Sequence, residues 1–463
     1  MPRSARRGWR GTCTATSHRR VGVSIGNREW GDEMRTRFAL TVRAARIIGT
    51  VVAVLVTALP GGLIQRMRHG RAAGGRHIRR RLVALLMLLG PTFVKAGQVL
   101  GTRRDLLPST LCDELSLLQD SVAPLDAEQT AIALAEAYGS EVDDVFAELD
   151  PQPVASGSVA SVYRGRLRSG QDVAVKLRRP GIERTMSADL ALIRGGAALV
   201  ARLPVFRGVP VEEVVANMAG AVLGQLDFER EADNLRRLRK NLSEVPRVWV
   251  PKVYPEACRP RCIVMEFIPD LAVDTAERCS PATRKRLAAS GMAAMYQMLF
   301  VDGFVHCDMH PGNLYFTRSA QAVVLDAGFS VQLTDRLRRL FAEFFMNMAI
   351  GRGTHAAEIV IQSATRLAED ADLDGFTVRM ADLVMRSHGQ SAQEFSLIAF
   401  AMEMFDLMRR FGIHAAPELV FPLLSLLVIE GAIRRLDPDM DFQEAAKPQL
   451  MRGLFGEGDI RGR

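Results

Sequence analysis

An α+β chain is predicted, with helices at both ends and a small sheet between them, and three observations predict it. Residues 82–145 carry apolar side chains at helical spacing around Leu85, Leu89, Val94 and Leu100. From about 151 the pattern turns to short strands, with Val159–Leu167 and Gln171–Leu177 flanking the hairpin turn Ser169-Gly170. From about 280 to 437 it is mostly helical again, broken by a strand–loop–strand near 304–326. At 463 residues, 48% apolar and 24% charged, the chain is globular and too long for one core, so two lobes plus extensions are expected.

In chain order, residues 1–33 are rich in Arg, Ser, Thr and Gly without an apolar period, and read as a flexible basic tail or an overextended start before Met34. No cleavable secretory signal fits, because the apolar run begins too late. Residues 34–74 form an apolar and basic helical segment. Ile47 through Ile64 is uncharged and flanked by arginines, and so just reaches membrane-spanning length, but Gly49, Pro60, Gly61 and Gly62 interrupt it. A buried or interfacial helix, a true span and a surface helix docked on a partner all remain open. The arginines from Arg66 to Arg81 suit an anionic membrane surface. Residues 75–150 are a helical extension, 151–268 hold the strands and a long helix at about 211–240, and 269–463 form a helical lobe.

The net charge of +8 is almost entirely arginine, since only six lysines occur. No aromatic-plus-basic RNA motif or zinc-finger spacing accompanies it, so no nucleic-acid partner is expected. Six cysteines without paired spacing read as reduced thiols in a cytosolic compartment.

The chemistry concentrates in His306-Cys307-Asp308-Met309-His310-Pro311-Gly312-Asn313, followed by Leu325-Asp326-Ala327-Gly328. Phosphoryl transfer from ATP needs a carboxylate near the acceptor and hard oxygen ligands for the Mg²⁺ that bridges the phosphates. Kinases supply these as HxDxxxxN and a later DxG. Asp308 is the candidate catalytic residue, and Asn313 and Asp326 are the candidate metal ligands. Val173-Ala174-Val175-Lys176 matches the kinase lysine that pairs with the α- and β-phosphates, and the scarcity of lysine adds weight to the match.

Upstream, Ala155, Ser156, Gly157, Ser158 and Val162 lie on the kinase glycine-loop pattern, where small residues let backbone N–H groups approach phosphate. Ala155 and Ala160 at glycine positions make a stiffer loop. Asp227, Glu231 and Asn234 fall on one helix face at i, i+4 and i+7, and Glu231 is the candidate ion-pair partner of Lys176. Met265-Glu266-Phe267-Ile268 ends the third strand like a kinase hinge, where the main chain of Glu266 and Ile268 would bond the adenine edge.

One further element is more specific. Pro91-Thr92-Phe93-Val94-Lys95-Ala96-Gly97-Gln98 resembles the KxGQ signature of the UbiB/AarF family of atypical kinases. The resemblance continues through Gly101–Pro108, Glu114–Asp120, the alanine-rich loop, the motifs above and Leu436-Asp437-Pro438-Asp439, over roughly residues 75–440. It implies a protein-kinase-like bilobal fold with an N-terminal helical extension carrying Lys95, Gly97 and Gln98 across the cleft. It also implies ATP and Mg²⁺ as cofactors, atypical kinase or ATPase activity, and a role in quinone or isoprenoid-lipid metabolism. The partners it implies are an isoprenoid lipid or quinone precursor, an anionic membrane surface and quinone-biosynthesis proteins, for a cytoplasmic, membrane-associated protein.

Three positions depart from the family pattern. Its ExD element reads Gln225-Leu226-Asp227, which replaces the acid that pairs with the KxGQ lysine, here Lys95. Its AAAS loop reads Ala155-Ser156-Gly157-Ser158, and its DFG reads Asp326-Ala327-Gly328. Two other classes remain in view: a small-molecule kinase of the aminoglycoside or choline type, which shares HxDxHxxN but lacks KxGQ, and a nucleotide-sensing scaffold without turnover, which would have no need of Asp308. A conventional protein kinase is disfavoured, because a helix begins by about Thr334 and leaves no room for a long activation segment.

Overall fold

The structure, a computed structural model, describes residues 25–102, 109–115, 118, 123–202, 211–269, 271, 275–276, 278–310, 312–317, 319–390 and 393–456. The tail up to residue 24, Arg103–Pro108 and Pro311 lie outside the described residues, as do Ser116, Leu117, Gln119 and Asp120. The chain divides into two units, Met1–Leu55 and Val56–Arg463.

Helix α1 runs from Ile25 to His69. Its stretch Thr41–His69 is long and apolar enough to cross a membrane. Val52, Val56, Leu59, Leu63 and Met67 are all exposed, which a core helix would not tolerate, so the buried reading of this segment gives way. In the second unit, the end of α1 meets α2 (Arg71–Leu89) across Gly70, which sits at φ 86. The approach is close enough that a Cβ on Gly74 would lie 2.8 Å from Gly62 O.

Helices α3 (Pro91–Thr102) and α4 (Ser109–Leu115) follow. Val83, Val94, Leu115 and Leu118 close a small core between them and α2. Helix α5 (Ala127–Tyr138) starts on a capping box made by Asp126 and Gln129, and α6 (Val142–Val145) is a single turn.

Strands β1 (Phe146–Ser156), β2 (Ala160–Leu167) and β3 (Asp172–Arg178) continue the chain. After β4 (Val248–Trp249) comes β5 (Cys262–Glu266), and the antiparallel sheet has the order β1-β2-β3-β5. Strand β1 begins inside the stretch assigned above to helices. With Asp150, Pro151 and Pro153 it lacks a two-residue period, and it survives as a bulged edge strand. In β3 the alternation separates two faces. Val173, Val175 and Leu177 join Tyr163, Val264 and the α5 residues Ala133 and Tyr138 in one core, whereas Ala174 and Lys176 face the other way. Thr130 and Tyr163 share a 2.8 Å hydroxyl contact, and Tyr138 donates to Ala257 O at 2.6 Å, so α5 roofs the outer face of the sheet.

Helix α7 spans Ile182–Val200. The single helix expected at about 211–240 is two helices, α8 (Val211–Gly224) and α9 (Phe228–Asn241). Asp227 is the N-cap of α9, with its carboxylate accepting from Arg230 N at 3.0 Å, so it does not share a helix face with Glu231 and Asn234.

The second lobe opens with α10 (Pro281–Tyr296) and a π-helical turn, Gln297–Asp302. Strand β6 (Phe304–His306) pairs antiparallel with β9 (Ser330–Gln332), and β7 (Leu314–Phe316) pairs with β8 (Ala322–Val324), which also meets β4. Helix α11 (Asp335–Ala349) starts on its Thr334 cap. Helices α12 (Gly353–Ser363), α13 (Leu373–Ser387), α14 (Leu397–Arg410), α15 (Pro417–Leu436) and α16 (Phe442–Phe455) complete the lobe, with β10 (Ala364–Leu367) and β11 (Ile413–Ala415) paired between them. The fold is α+β and protein-kinase-like, with the helical extension carried ahead of the sheet.

Asp302 ends the π-helical turn with one oxygen buried and without a hydrogen-bond partner among the described residues. Burial pushes its carboxyl up to about 6, against the Gln297 side chain that donates to it and the nearby Arg452, Arg237 and Arg338. The folded chain therefore holds this proton more tightly than the unfolded one, and the group's contribution falls as pH rises from about 4 to about 6. Asp302→Asn is expected to raise the melting temperature at pH 8 by about 1–3 °C and to leave it unchanged at pH 4, as thermal melts at both pH values would read.

Candidate active site

Between the sheet and the second lobe lies a cavity of about 560 Å³, the size of a nucleotide or cofactor site. It gathers residues far apart in sequence: Lys95, Ala155, Ser156, Gly157, Ser158, Val162, Lys176, Gln225, Glu231, Glu266, Ile268, Asp308, Asn313 and Asp326 all line it. Gly97, Gln98 and Asp227 do not. A Cβ on Gly97 would come within 2.5 Å of Leu118 Cδ1, and Gln98 Nε2 donates to Leu118 O at 3.0 Å. Those two residues therefore fix α3 in place, and of the KxGQ element Lys95 alone lines the cleft.

At the centre, Lys176 Nζ donates to Glu231 Oε1 at 2.6 Å and to Asp326 Oδ2 at 2.9 Å. β3 delivers the lysine, the buried face of α9 (Phe228, Glu231, Leu235, Leu238) delivers the glutamate, and the end of β8 delivers the aspartate. Two carboxylates thus share one ammonium. Burial and then the charge of Asp326 push Glu231 up to about 7, even though Lys176 draws it down. Burial also acts to raise Asp326, but the charge and hydrogen bond of Lys176, helped by Lys95, hold it far below the usual carboxylate range. Lys176 is itself raised, its two carboxylates outweighing burial. Asp326 retains 47% side-chain exposure toward the cleft. Its backbone sits at φ 50, a left-handed conformation uncommon outside glycine, in which Gly328 N donates to Asp326 Oδ1 at 3.2 Å.

The loop between β6 and β7 carries Asp308. Asn313 Nδ2 donates to Asp308 O at 2.9 Å and lies 3.3 Å from Asp308 Oδ2. His310 Nε2 stands 3.5 Å from the same carboxylate, while its Nδ1 accepts from Gly312 N at 2.9 Å. Burial works to raise Asp308, but His310 and the charge of Lys95 outweigh it and keep the carboxylate below its ordinary value. His306 is fully buried, with Nε2 on Leu325 O at 3.0 Å and Nδ1 accepting from Asp308 N at 3.1 Å, so one ring ties both acidic loops together.

Toward the sheet, the Ser156–Ala160 turn closes on itself, because Gly157 N donates to Ala160 O at 2.9 Å. That N–H is therefore spent within the loop and does not face the cleft as expected. Ser156 Oγ is likewise engaged, by Ser161 at 3.1 Å and by Arg179 at 2.8 Å. Ser158 Oγ, by contrast, is buried among the lining residues with no partner among the described residues. At the hinge, Glu266 N donates to Lys252 O at 2.8 Å, and the Glu266 carboxylate accepts from Trp249 Nε1 and Lys252 N.

The donor set fits a magnesium nucleotide. Asp308, Asn313 and Asp326 offer hard oxygens, Lys176 offers a cation, and Ser158 offers a hydroxyl that lacks a partner among the described residues. Among the described residues no cluster of three His, Cys, Asp or Glu could hold a metal by itself.

Sequence reasoning missed two supports. Ser425, from α15, donates to His306 O at 2.9 Å and accepts from Met309 N at 3.3 Å, so it braces the Asp308 loop. Arg179 pins the Ser156–Ala160 turn through Gly157 O at 2.8 Å and Ser156 Oγ. Only the Arg178-Arg179 pair just past the strand lysine could have hinted at either.

Residues 117–360 match the ABC1 atypical kinase-like domain, and residues 380–441 match the UbiB helical domain. A protein named probable protein kinase UbiB from Pseudomonas putida is 36% identical over 387 residues, 81% of this chain and 70% of that protein. Its namesake from Azotobacter vinelandii is 34% identical over 395 residues, 83% of this chain and 72% of that protein. Among solved structures, Rv3197 from Mycobacterium tuberculosis, in a complex with erythromycin, aligns with a TM-score of 0.55 at 19% identity. That alignment covers 77% of this chain and 86% of the other, a likeness of fold.

Proposed function

Because the chain belongs to the UbiB family of ABC1 atypical kinase-like proteins, we propose that it binds ATP with Mg²⁺ in the cleft and transfers or hydrolyses the γ-phosphoryl group in support of quinone or isoprenoid-lipid metabolism at a membrane. The observation that carries this reading is Lys176 held between Glu231 and Asp326, with Asp308 and Asn313 lining the same cavity.

In this reading Lys176 steadies the α- and β-phosphates, and Ser158 O–H donates to a phosphate oxygen. Asp326 and Asn313 would hold the Mg²⁺, which supplies charge neutralisation on the phosphates. Asp308 orients the attacking hydroxyl or water and takes its proton as the new P–O bond forms and ADP leaves with the old one. The main chain of Glu266 and Ile268 meets the adenine edge. The test is phosphate release by the purified full chain with Mg-ATP, with and without anionic vesicles and a quinone precursor. Release that depends on Mg²⁺ and rises with either addition supports the reading, and no release under any of these conditions overturns it.

The membrane part rests on the exposed apolar stripe of α1 and on the arginines that follow it, arranged as for a protein at the cytoplasmic face. Replacing Val52 and Val56 together with Asp is expected to move most of the protein from the membrane to the soluble fraction on flotation, since each buried charge costs about 2.5–3.5 kcal/mol. Unchanged partitioning would assign membrane contact elsewhere.

A further inference from the structure

Helix α3 carries Lys95 to the cleft, yet Lys95 is one residue on a helix that must be held in place. At its C-terminal half, Gly97 and Gln98 anchor it to Leu118. Its first turn is anchored differently. Thr92 Oγ1 donates to Asp189 Oδ2 of α7 at 2.8 Å, across 97 residues of sequence. Thr92 is 0% exposed and Asp189 is 1% exposed. A carboxylate that deeply buried is costly unless it is bonded, and a valine would fill the Thr92 site equally well if shape were all that mattered. α3 packs on both α7 and α8, so this bond ties the extension to the sheet-bearing lobe one turn before Lys95.

We propose that the Thr92–Asp189 bond is a positioning latch that holds Lys95 over Asp308 and Asp326, where its ammonium competes with a divalent cation for those carboxylates. The inference rests on the magnesium-nucleotide reading of the cleft and deepens it by naming a second set of residues that governs metal affinity. Lys95 lines the same cavity as both aspartates and His310. A cation held there from α3 must be displaced or neutralised before a metal binds tightly. Loosening α3 lets Lys95 swing away from the carboxylates. Thr92 and Asp189 touch no substrate in this account; they act through Lys95 alone.

The experiment uses the full chain, a non-hydrolysable ATP analogue, magnesium titrations of analogue binding, and hydrogen exchange over residues 91–102 without nucleotide. Thr92→Val and Lys95→Met should each lower the Mg²⁺ needed for half-maximal binding by about three- to tenfold, and the double variant should match Lys95→Met alone. Thr92→Ser restores the hydroxyl and should behave as wild type. Exchange in α3 should quicken at least about tenfold in Thr92→Val and stay unchanged in Lys95→Met. Should Thr92→Val fail to fold, Asp189→Asn, which keeps the shape and a weaker bond, makes the same comparison with a shift of about twofold. A wild-type magnesium midpoint in Thr92→Val overturns the latch, and so does an effect that adds to that of Lys95→Met, which a purely structural role would produce. If the wild-type chain binds no analogue at any Mg²⁺ concentration, the nucleotide reading and the metal-competition part of the proposal both fall. The exchange comparison then decides the anchoring of α3 alone.

Discussion

Asp308→Asn is expected to slow phosphate release by about 10²–10⁴-fold while nucleotide affinity stays within about threefold. The split follows from where Asp308 stands. The lysine that would hold the phosphates is fixed by Glu231 and Asp326, and neither bond involves Asp308. Asp308 keeps 43% of its side chain open to the cleft, and its neighbours are Asn313 and His310. An asparagine preserves the shape and the main-chain bond from Asn313 Nδ2, so the loop should hold. What disappears is a charged oxygen able to orient and deprotonate an acceptor. Because His310 and Lys95 keep this carboxylate below its ordinary value despite burial, it is ionised at neutral pH and is a weak base. Its main contribution is orientation, and the lower end of the range is the better expectation. Single-turnover assays beside calorimetric titration read both quantities. A parallel loss of affinity would make Asp308 a metal ligand instead.

The parts of this site that were legible in the sequence are those in which chemistry and local structure coincide. Val173-Ala174-Val175-Lys176-Leu177 alternates because the sheet has two faces, and that alternation puts Lys176 on the cleft face. His306–Asn313 and Leu325–Gly328 are short loops between short strands, so their spacing alone fixes which side chains can meet. The break between α8 and α9 was not legible. Gln225-Leu226-Asp227 continues an apolar period, and only the competition of the Asp227 side chain for Arg230 N ends one helix and begins the next. The roof that α5 forms over the sheet was hidden for another reason. A hydrophobic strand face announces burial but does not say what will cover it, and the covering bonds from Thr130 and Tyr138 join segments 33 and 119 residues apart. Ser425 is the extreme case, a single hydroxyl that braces the Asp308 loop from 119 residues away with no motif around it.

Asp326→Asn is expected to remove magnesium-dependent nucleotide binding, by about 10²-fold or more, with only a small change in the stability of the nucleotide-free protein. A neutral amide is a poor ligand for a hard dication, and Asp326 is the acid that the end of β8 delivers to the cleft beside Lys176. The stability half of the expectation comes from the crowding around Lys176. One ammonium faces two carboxylates, and the strain appears at Glu231, which burial and the charge of Asp326 push up to about 7. Neutralising Asp326 leaves the 2.6 Å Lys176–Glu231 pair intact, and with that negative charge gone Glu231 ionises more readily. Asparagine also accepts the left-handed φ of 50 about as well as aspartate does, so no backbone strain is added. Against that gain stands the 2.9 Å Lys176–Asp326 bond that the variant loses, which favours the ionised aspartate in the fold, so the nucleotide-free variant should melt within a few degrees of the wild-type temperature at pH 7.5. Calorimetry with Mg-ATP and thermal melts without it separate the two claims. Undiminished Mg-ATP affinity in the variant would take Asp326 out of the metal site, and a melting temperature several degrees lower would mean that the three-residue cluster stabilises the fold as it stands.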